Sequence, residues 1–201
     1  MIIAYTTFVH LIEDTSHVDA IYKYMKKMAI PLDISDLLRW QWVQTVSAFD
    51  KFIHDIVKRG MIEQFIGIRE KTNKFNAFSI NMSTFYDMTD DMLDSVNYFE
   101  QIITKCNGYK SFQDPKKVSN ALSYIWNENY KWKEIANNLN MNEHDCTVMM
   151  NNIVIRRNQI AHEGDYVDVF SRRQSILEDD VNEVKNFISR VGEAIYNLVK
   201  L

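Results

Sequence analysis

The stretch "SDLLRWQWVQTVSAFDKFIHDIVKRG", Ser35 to Gly60, decides the fold. Trp42, Val46, Phe49, Ile53 and Ile56 recur at alternating steps of four and three, which lays them along one stripe of a helix. Ser35 suits the cap, with Asp36 in the first turn, where a negative charge complements the helix dipole. Gly60 suits the end, because glycine leaves a helix at least steric cost. A helix from Ser35 to Arg59 is ~37 Å long at 1.5 Å per residue. That is the full height of a bundle.

The same spacing extends outward on both sides. Ile2, Phe8, Ile12, Val18, Ile21, Tyr24 and Met28 predict a first helix, which "IPLD" breaks. The polar stretch "GIREKTNKFNAFSINMSTFYD" fits a loop, a short extended piece or a one-turn helix. Met92 to Cys106 is helical and ends at "CNGYK"; "DPKKVSNALSYIW" starts afresh on Asp114 and Pro115. "KWKEIANNL" and "NEHDCTVMMNNIVIRRNQIAH" give two more helices. Glu178 to Leu201 gives a last one through Val181, Val184, Ile188, Val191, Ile195 and Leu198. With no internal repeat, low-complexity tract or linker, residues 1–201 are expected to form one all-α domain, a multi-helix bundle around a long central helix.

Composition narrows the function classes. Five Gly and two Pro in 201 residues are too few for a sandwich or barrel of many short strands. A net charge of −4 excludes a broad basic coat for nucleic acid, though not a local basic cleft. Cys106 and Cys146 stand far apart without a C-x-x-C pair, which argues against a disulfide framework or a cysteine zinc site and fits a reducing compartment. The opening "MIIAYTTFVHLIED" lacks the form of a signal peptide, and no apolar run approaches the ~20 residues that span a bilayer. A cytoplasmic protein with no membrane segment, no metal and no cofactor is the expectation.

Chemistry gathers in "RRNQIAHEGD", Arg156 to Asp165. On a wheel, Met149, Met150, Ile153, Val154, Ile160 and Ala161 lie on one side, and Arg157 falls near its middle, where a leucine is expected. A guanidinium there needs an acidic partner, a cleft or an anionic ligand. Asn158 and His162 share an adjoining face. Arg157 and His162 point about 140° apart on a regular helix. They converge if the helix ends near Ala161, or if the arginine of one subunit meets the histidine of another.

"RRNQIAHEGD" resembles the R-N-x-x-x-H signature of the HEPN superfamily, here Arg157, Asn158 and His162; the broader R-x(4–6)-H pattern also admits Arg156. "SAFDKFIHDIVKRG" resembles the S-A-L-D-x-[FY]-x-H-D-[IL]-V-R-R-G helix of the RiboL-PSP-HEPN branch, through Ser47, Ala48, Asp50, Phe52, His54, Asp55 and Gly60. Phe49 and Lys58 depart conservatively. "FQDPKKVSNAL" and "WKEIANNLN" follow in the expected order, so the resemblance spans roughly residues 37–165. It implies a HEPN-like bundle that dimerises around a basic cleft, and a metal-independent endoribonuclease of antiviral defence or a toxin–antitoxin system, with RNA as substrate and an antitoxin protein as partner. His162 would be the general acid–base, Arg157 would hold the phosphate, and Asn158 would orient the histidine or donate to the phosphate. A non-catalytic module binding nucleotide, RNA or protein is the alternative.

Plainer readings stand beside these. Arg157 can be a structural ion pair with Asp50 or Asp55, and His162 a residue that favours the helix dipole. Asp50 and His54, four apart, either support Arg157 and substrate or lock helix packing. Glu163 is a second acid–base or an exposed carboxylate. "WKEIA" imitates a helix-turn-helix, but the next helix opens on Asn142, Glu143, His144 and Asp145, poorly suited to DNA. "EHDC" lacks the spacing of a metal site. Trp40, Trp42, Trp126 and Trp132 all fall on predicted helices and are read as core or dimer interface.

Overall fold

The computed structural model describes residues 1–83, 85–86, 95–166 and 172–201. Among these run eight helices: α1 (Ile2–Lys27), α2 (Ser35–Phe65), α3 (Asn73–Asn76), α4 (Ser95–Asn107), α5 (Pro115–Leu122), α6 (Lys131–Leu139), α7 (Glu143–Glu163) and α8 (Glu178–Val199). The chain is an all-α bundle. The expected start of α4 at Met92 falls outside the described residues.

α2 is the axis. It packs against α1, α4, α5, α7 and α8, so residues on most of its circumference are buried, with Val46, Phe49, Ile53 and Ile56 fully so. Each such side chain contributes about 1.5–3 kcal/mol by leaving water. Phe8 of α1 stacks on Phe52 at 4.8 Å, and Tyr5 stacks on Tyr196 of α8 at 4.5 Å. Val181, Val184, Ile188, Val191 and Ile195 of α8 complete the same core, while Leu198 is half-buried.

Two expectations for α2 are corrected. Its helix runs through Gly60 to Phe65, ~46 Å at 1.5 Å per residue. Gly60 is there for space: a Cβ would lie 2.5 Å from Ile125 Cγ2 and 2.8 Å from Met1 Cε. Nor does Ser35 cap the helix; it is the first helical residue, its N–H donates to Asp33 Oδ1 at 2.9 Å, and its Oγ accepts from Arg39. Arginines fasten both ends of α2. Arg39 lies within its first turns; Arg69, just past its end, donates to Glu63 Oε2 at 3.2 Å and to the Val199 carbonyl at 2.7 Å.

Elsewhere the local signals hold. Thr72 caps the one-turn α3 by accepting from Phe75 N–H, and Asp114 caps α5 by accepting from Lys117 N–H with Pro115 in the first turn. Trp132, Ile135, Ala136 and Leu139 bury the inner face of α6. Trp126 is not helical; it lies between α5 and α6 with Lys131 over its ring, and Trp40 is 43% exposed, whereas Trp42 and Trp132 are buried. No helix among the described residues is long and apolar enough to cross a membrane.

Candidate active site

α7 carries the motif. Asn142 caps its start by accepting from His144 N–H at 2.8 Å, and Gly164, left-handed at φ 65°, turns the chain out of its end. Cys146, Met150, Ile153 and Val154 form its buried line. Arg157 continues that line half-buried. Ala161, expected on the same side, is exposed, because the inward face of α7 opens to solvent over its last turns.

The helix stays regular to Glu163 and does not stop near Ala161. Arg157 and His162 of one chain therefore point about 140° apart, and the proposed convergence within a subunit by early helix ending does not occur. Asn158 lies between them. Its Oδ1 accepts from Arg157 Nη1 at 3.0 Å, which draws the guanidinium toward the face that Asn158 and His162 share. Arg157 Nε is buried with no hydrogen-bond partner among the described residues. His162 and Glu163 are exposed, and no hydrogen bond or ion pair engages their side chains among the described residues.

The ion-pair reading of Arg157 is not met. Asp50 accepts from Phe112 N–H at 2.5 Å and Gln113 Nε2 at 3.3 Å, and Asp55 pairs with Lys51 at 2.7 Å. His54 Nε2 lies 3.1 Å from the Lys110 carbonyl, with its ring 4.4 Å from Phe112. Asp50 and His54 together hold the segment that leads from α4 into α5, and neither contacts Arg157, Asn158 or His162 among the described residues.

Arg156 has a different fate from its neighbour. Its Nη2 donates to Asp165 Oδ2 at 3.2 Å and to the Ser175 carbonyl at 2.7 Å, with the guanidinium 5.4 Å above the Trp42 ring. Asp165, fully buried and left-handed at φ 66°, also takes Arg39 Nε at 2.7 Å. Arg39 Nη2 reaches the Gln174 carbonyl at 2.7 Å, and Arg173 Nε donates to the Gly164 carbonyl at 2.9 Å. Arg39, Arg156, Arg157 and Arg173 thus surround the end of α7 in a chain whose net charge is −4. Asp165 and Asp36 pair with three of them, and Arg157 has no ion pair among the described residues.

Arg39 and Asp165 escaped the sequence reading, although a signal existed. Arg39 stands on the apolar stripe of α2, three before Trp42, the same anomaly that singles out Arg157. In "EHDC", His144 and Asp145 are exposed while Cys146 is buried, so the three side chains diverge.

The profile of the RiboL-PSP-HEPN family matches residues 10–201, well beyond the segment in which the resemblance is visible by eye. No curated protein and no solved structure matches the chain.

Proposed function

The chain belongs to the RiboL-PSP-HEPN family, and on that footing we propose that it is a cytoplasmic, metal-independent endoribonuclease. Arg157, Asn158 and His162 form its site, and two copies assemble around it. The observation that carries the proposal is Arg157: a half-buried cation at the end of a core stripe, with a neutral amide as its only hydrogen-bond partner among the described residues. A guanidinium without a carboxylate partner among the described residues is suited to a phosphate, which its fork of donors can grip.

The reaction needs no further chemistry than these groups supply. The RNA 2′-oxygen bonds to its own phosphorus while the bond to the 5′-oxygen breaks. An imidazole removes the 2′-hydroxyl proton, and an imidazolium returns one to the leaving oxygen. Arg157 offsets the charge that grows on the phosphate oxygens. The products are a 2′,3′-cyclic phosphate and a 5′-hydroxyl; DNA, without the nucleophile, is spared.

A second copy supplies the missing geometry. His144, Val148, Asn151, Ile155, Asn158 and His162 run along α7 at alternating steps of four and three, and all are exposed. Val148 is 40% and Ile155 55% exposed. This is the pattern of a helix-pairing seam. Pairing α7 with its counterpart covers both apolar side chains and brings one copy's His162 against the other copy's helix. A role in antiviral defence or as the toxin of a toxin–antitoxin pair follows from the family resemblance.

The test is incubation of labelled RNA with the wild-type chain in EDTA, resolving the product ends. Cleavage should leave cyclic phosphates, and His162→Ala should lower the rate by ~10²–10⁴-fold. Cleavage that survives both His162→Ala and Arg157→Ala would remove the site assignment. RNA binding without cleavage would favour the non-catalytic module, for which the divergence of Arg157 and His162 within one chain speaks.

A further inference from the structure

Far along α2 from the motif lies a second cationic feature. Lys74 Nζ donates to the Asn120 carbonyl at 2.6 Å and to the Asn120 side-chain oxygen, 4.4 Å from the centroid of the Tyr124 ring. Lys131 Nζ donates to the Glu128 carbonyl, 5.8 Å from the Trp126 ring. Lys110 Nζ donates to Asn107 Oδ1 at 3.0 Å. Lys116, exposed, lies one turn before Asn120 on α5 and so shares its face. None of the four lysines forms an ion pair among the described residues, and the nearby Glu128 carboxylate is turned to Tyr130 N–H at 2.7 Å.

The ammonium groups feel one another. Burial, then the charges of Lys110 and Lys131, push the Lys74 pKa down. The Glu128 charge acts on Lys131, but like charges that form no ion pair among the described residues are relieved by a polyanion. Beside them in sequence stand two of the most exposed aromatic side chains among the described residues: Tyr109, 82% exposed, next to Lys110, and Tyr130, 68% exposed, next to Lys131. Cations that track a backbone, interleaved with open rings on which bases stack, are the requirements for binding a single strand. A duplex hides its base faces and would leave both rings idle.

We infer that this lysine–tyrosine cluster is a second contact surface for single-stranded RNA, with Lys74, Lys110 and Lys116 on phosphates and Tyr109 and Tyr130 on bases. Gln64 Nε2, near the end of α2, donates to the Tyr124 carbonyl at 2.6 Å, whereas Arg39 holds the turn after α7. From Arg39 it is ~23 Å along the helix to His54, which meets the Lys110 carbonyl, and ~38 Å to Gln64, at 1.5 Å per residue. The surface therefore selects RNAs long enough to reach from the cluster to the motif. The inference rests on the proposed function only for RNA being the ligand.

The experiment measures binding, so it does not depend on cleavage. An unstructured labelled RNA is titrated with chains carrying His162→Ala, at several salt concentrations, followed by fluorescence anisotropy. Lys74→Gln/Lys110→Gln/Lys116→Gln should reduce the slope of log K against log salt by about 2, since each lost phosphate contact on a single strand is worth about 0.7. Tyr109→Ala/Tyr130→Ala should weaken binding by about tenfold or more. Lys110→Glu/Lys116→Glu, which touches only exposed side chains, should reproduce the loss if the triple variant folds poorly. Unchanged affinity and slope in these variants would overturn the inference. So would unchanged RNA binding accompanied by lost binding of a poly-glutamate peptide, which would make the cluster a protein-docking surface. A wild-type chain that fails to cut RNA while the variants lose affinity would leave this surface standing and remove the nuclease reading.

Discussion

Arg39 and Asp165, 126 residues apart in sequence, meet at 2.7 Å with both side chains out of solvent. The same carboxylate oxygen takes Arg156 at 3.2 Å. One carboxylate thus joins the first turns of α2 to the last turns of α7 and fixes the turn from which His162 is displayed. Gln174 N–H donating to the Asp165 carbonyl at 2.8 Å ties the returning chain to the same point.

Asp165→Ala should be among the most destabilising substitutions in the protein. It removes the buried carboxylate that Arg39 and Arg156 share, and breaking a buried pair in this way costs about 3–5 kcal/mol. Asp165→Asn, which keeps the shape and one acceptor, should cost less. Urea denaturation checks both, and a neutral Asp165→Ala would show that the tie contributes nothing.

Neighbouring arginines should separate cleanly. Arg156→Ala removes the contacts to Asp165, Ser175 and Trp42 and should lower the melting temperature while leaving cleavage measurable. Arg157→Ala, which among the described residues loses a single hydrogen bond to Asn158, should leave the melting temperature nearly unchanged and lower kcat by about 10²–10³, the cost of removing a preorganised donor from a developing anion. Thermal melts and single-turnover cleavage on the same preparations decide the matter; the opposite assignment would make Arg156 the motif arginine.

Ile155→Asp should disperse the assembly. It puts a charge at the middle of the exposed seam of α7 and leaves the core untouched, because Ile155 is 55% exposed. Sedimentation should give the mass of one chain, and cleavage should fall with the dimer. A dimer that survives this substitution uses another face.

The helices and the motif were legible because their signals are local. The stripe of α2, the Asp114–Pro115 start of α5 and the periodicity of α8 each occupy a few turns of chain. At Gly60 a glycine that ends a helix and one that admits a neighbour look alike in sequence; only the approach of Ile125 and Met1 tells them apart. Ser35 lost the cap to geometry set two residues earlier by Asp33. The tie of Arg39 to Asp165 was invisible because nothing local pairs residues so distant. Asp50 and His54 were legible as a polar pair, but their partners, Phe112, Gln113 and Lys110, belong to a segment whose path the sequence does not reveal.

The core should report on alkaline pH through Cys146. Burial pushes its thiol from an ordinary 9.0 to about 11. The fold therefore favours the neutral thiol, and its contribution is complete below pH 9. As pH rises from 9 toward 11 the unfolded chain ionises first, so that contribution is progressively lost. Cys146→Ala should flatten this part of the stability–pH curve, although Tyr5 and Tyr124, also raised by burial, contribute to the slope above it. Half-buried Cys106 should be alkylated well before Cys146 in the native protein.

The unbroken course of α7 to Glu163 has a genetic corollary. If each centre takes its guanidinium from one copy and its imidazole from the other, two inactive alleles can repair one another. Mixing Arg157→Ala chains with His162→Ala chains would create one centre that lacks both groups and one that lacks neither. Co-expression should then restore cleavage to a fraction of the population, and silence in the mixture would mean that each copy works alone.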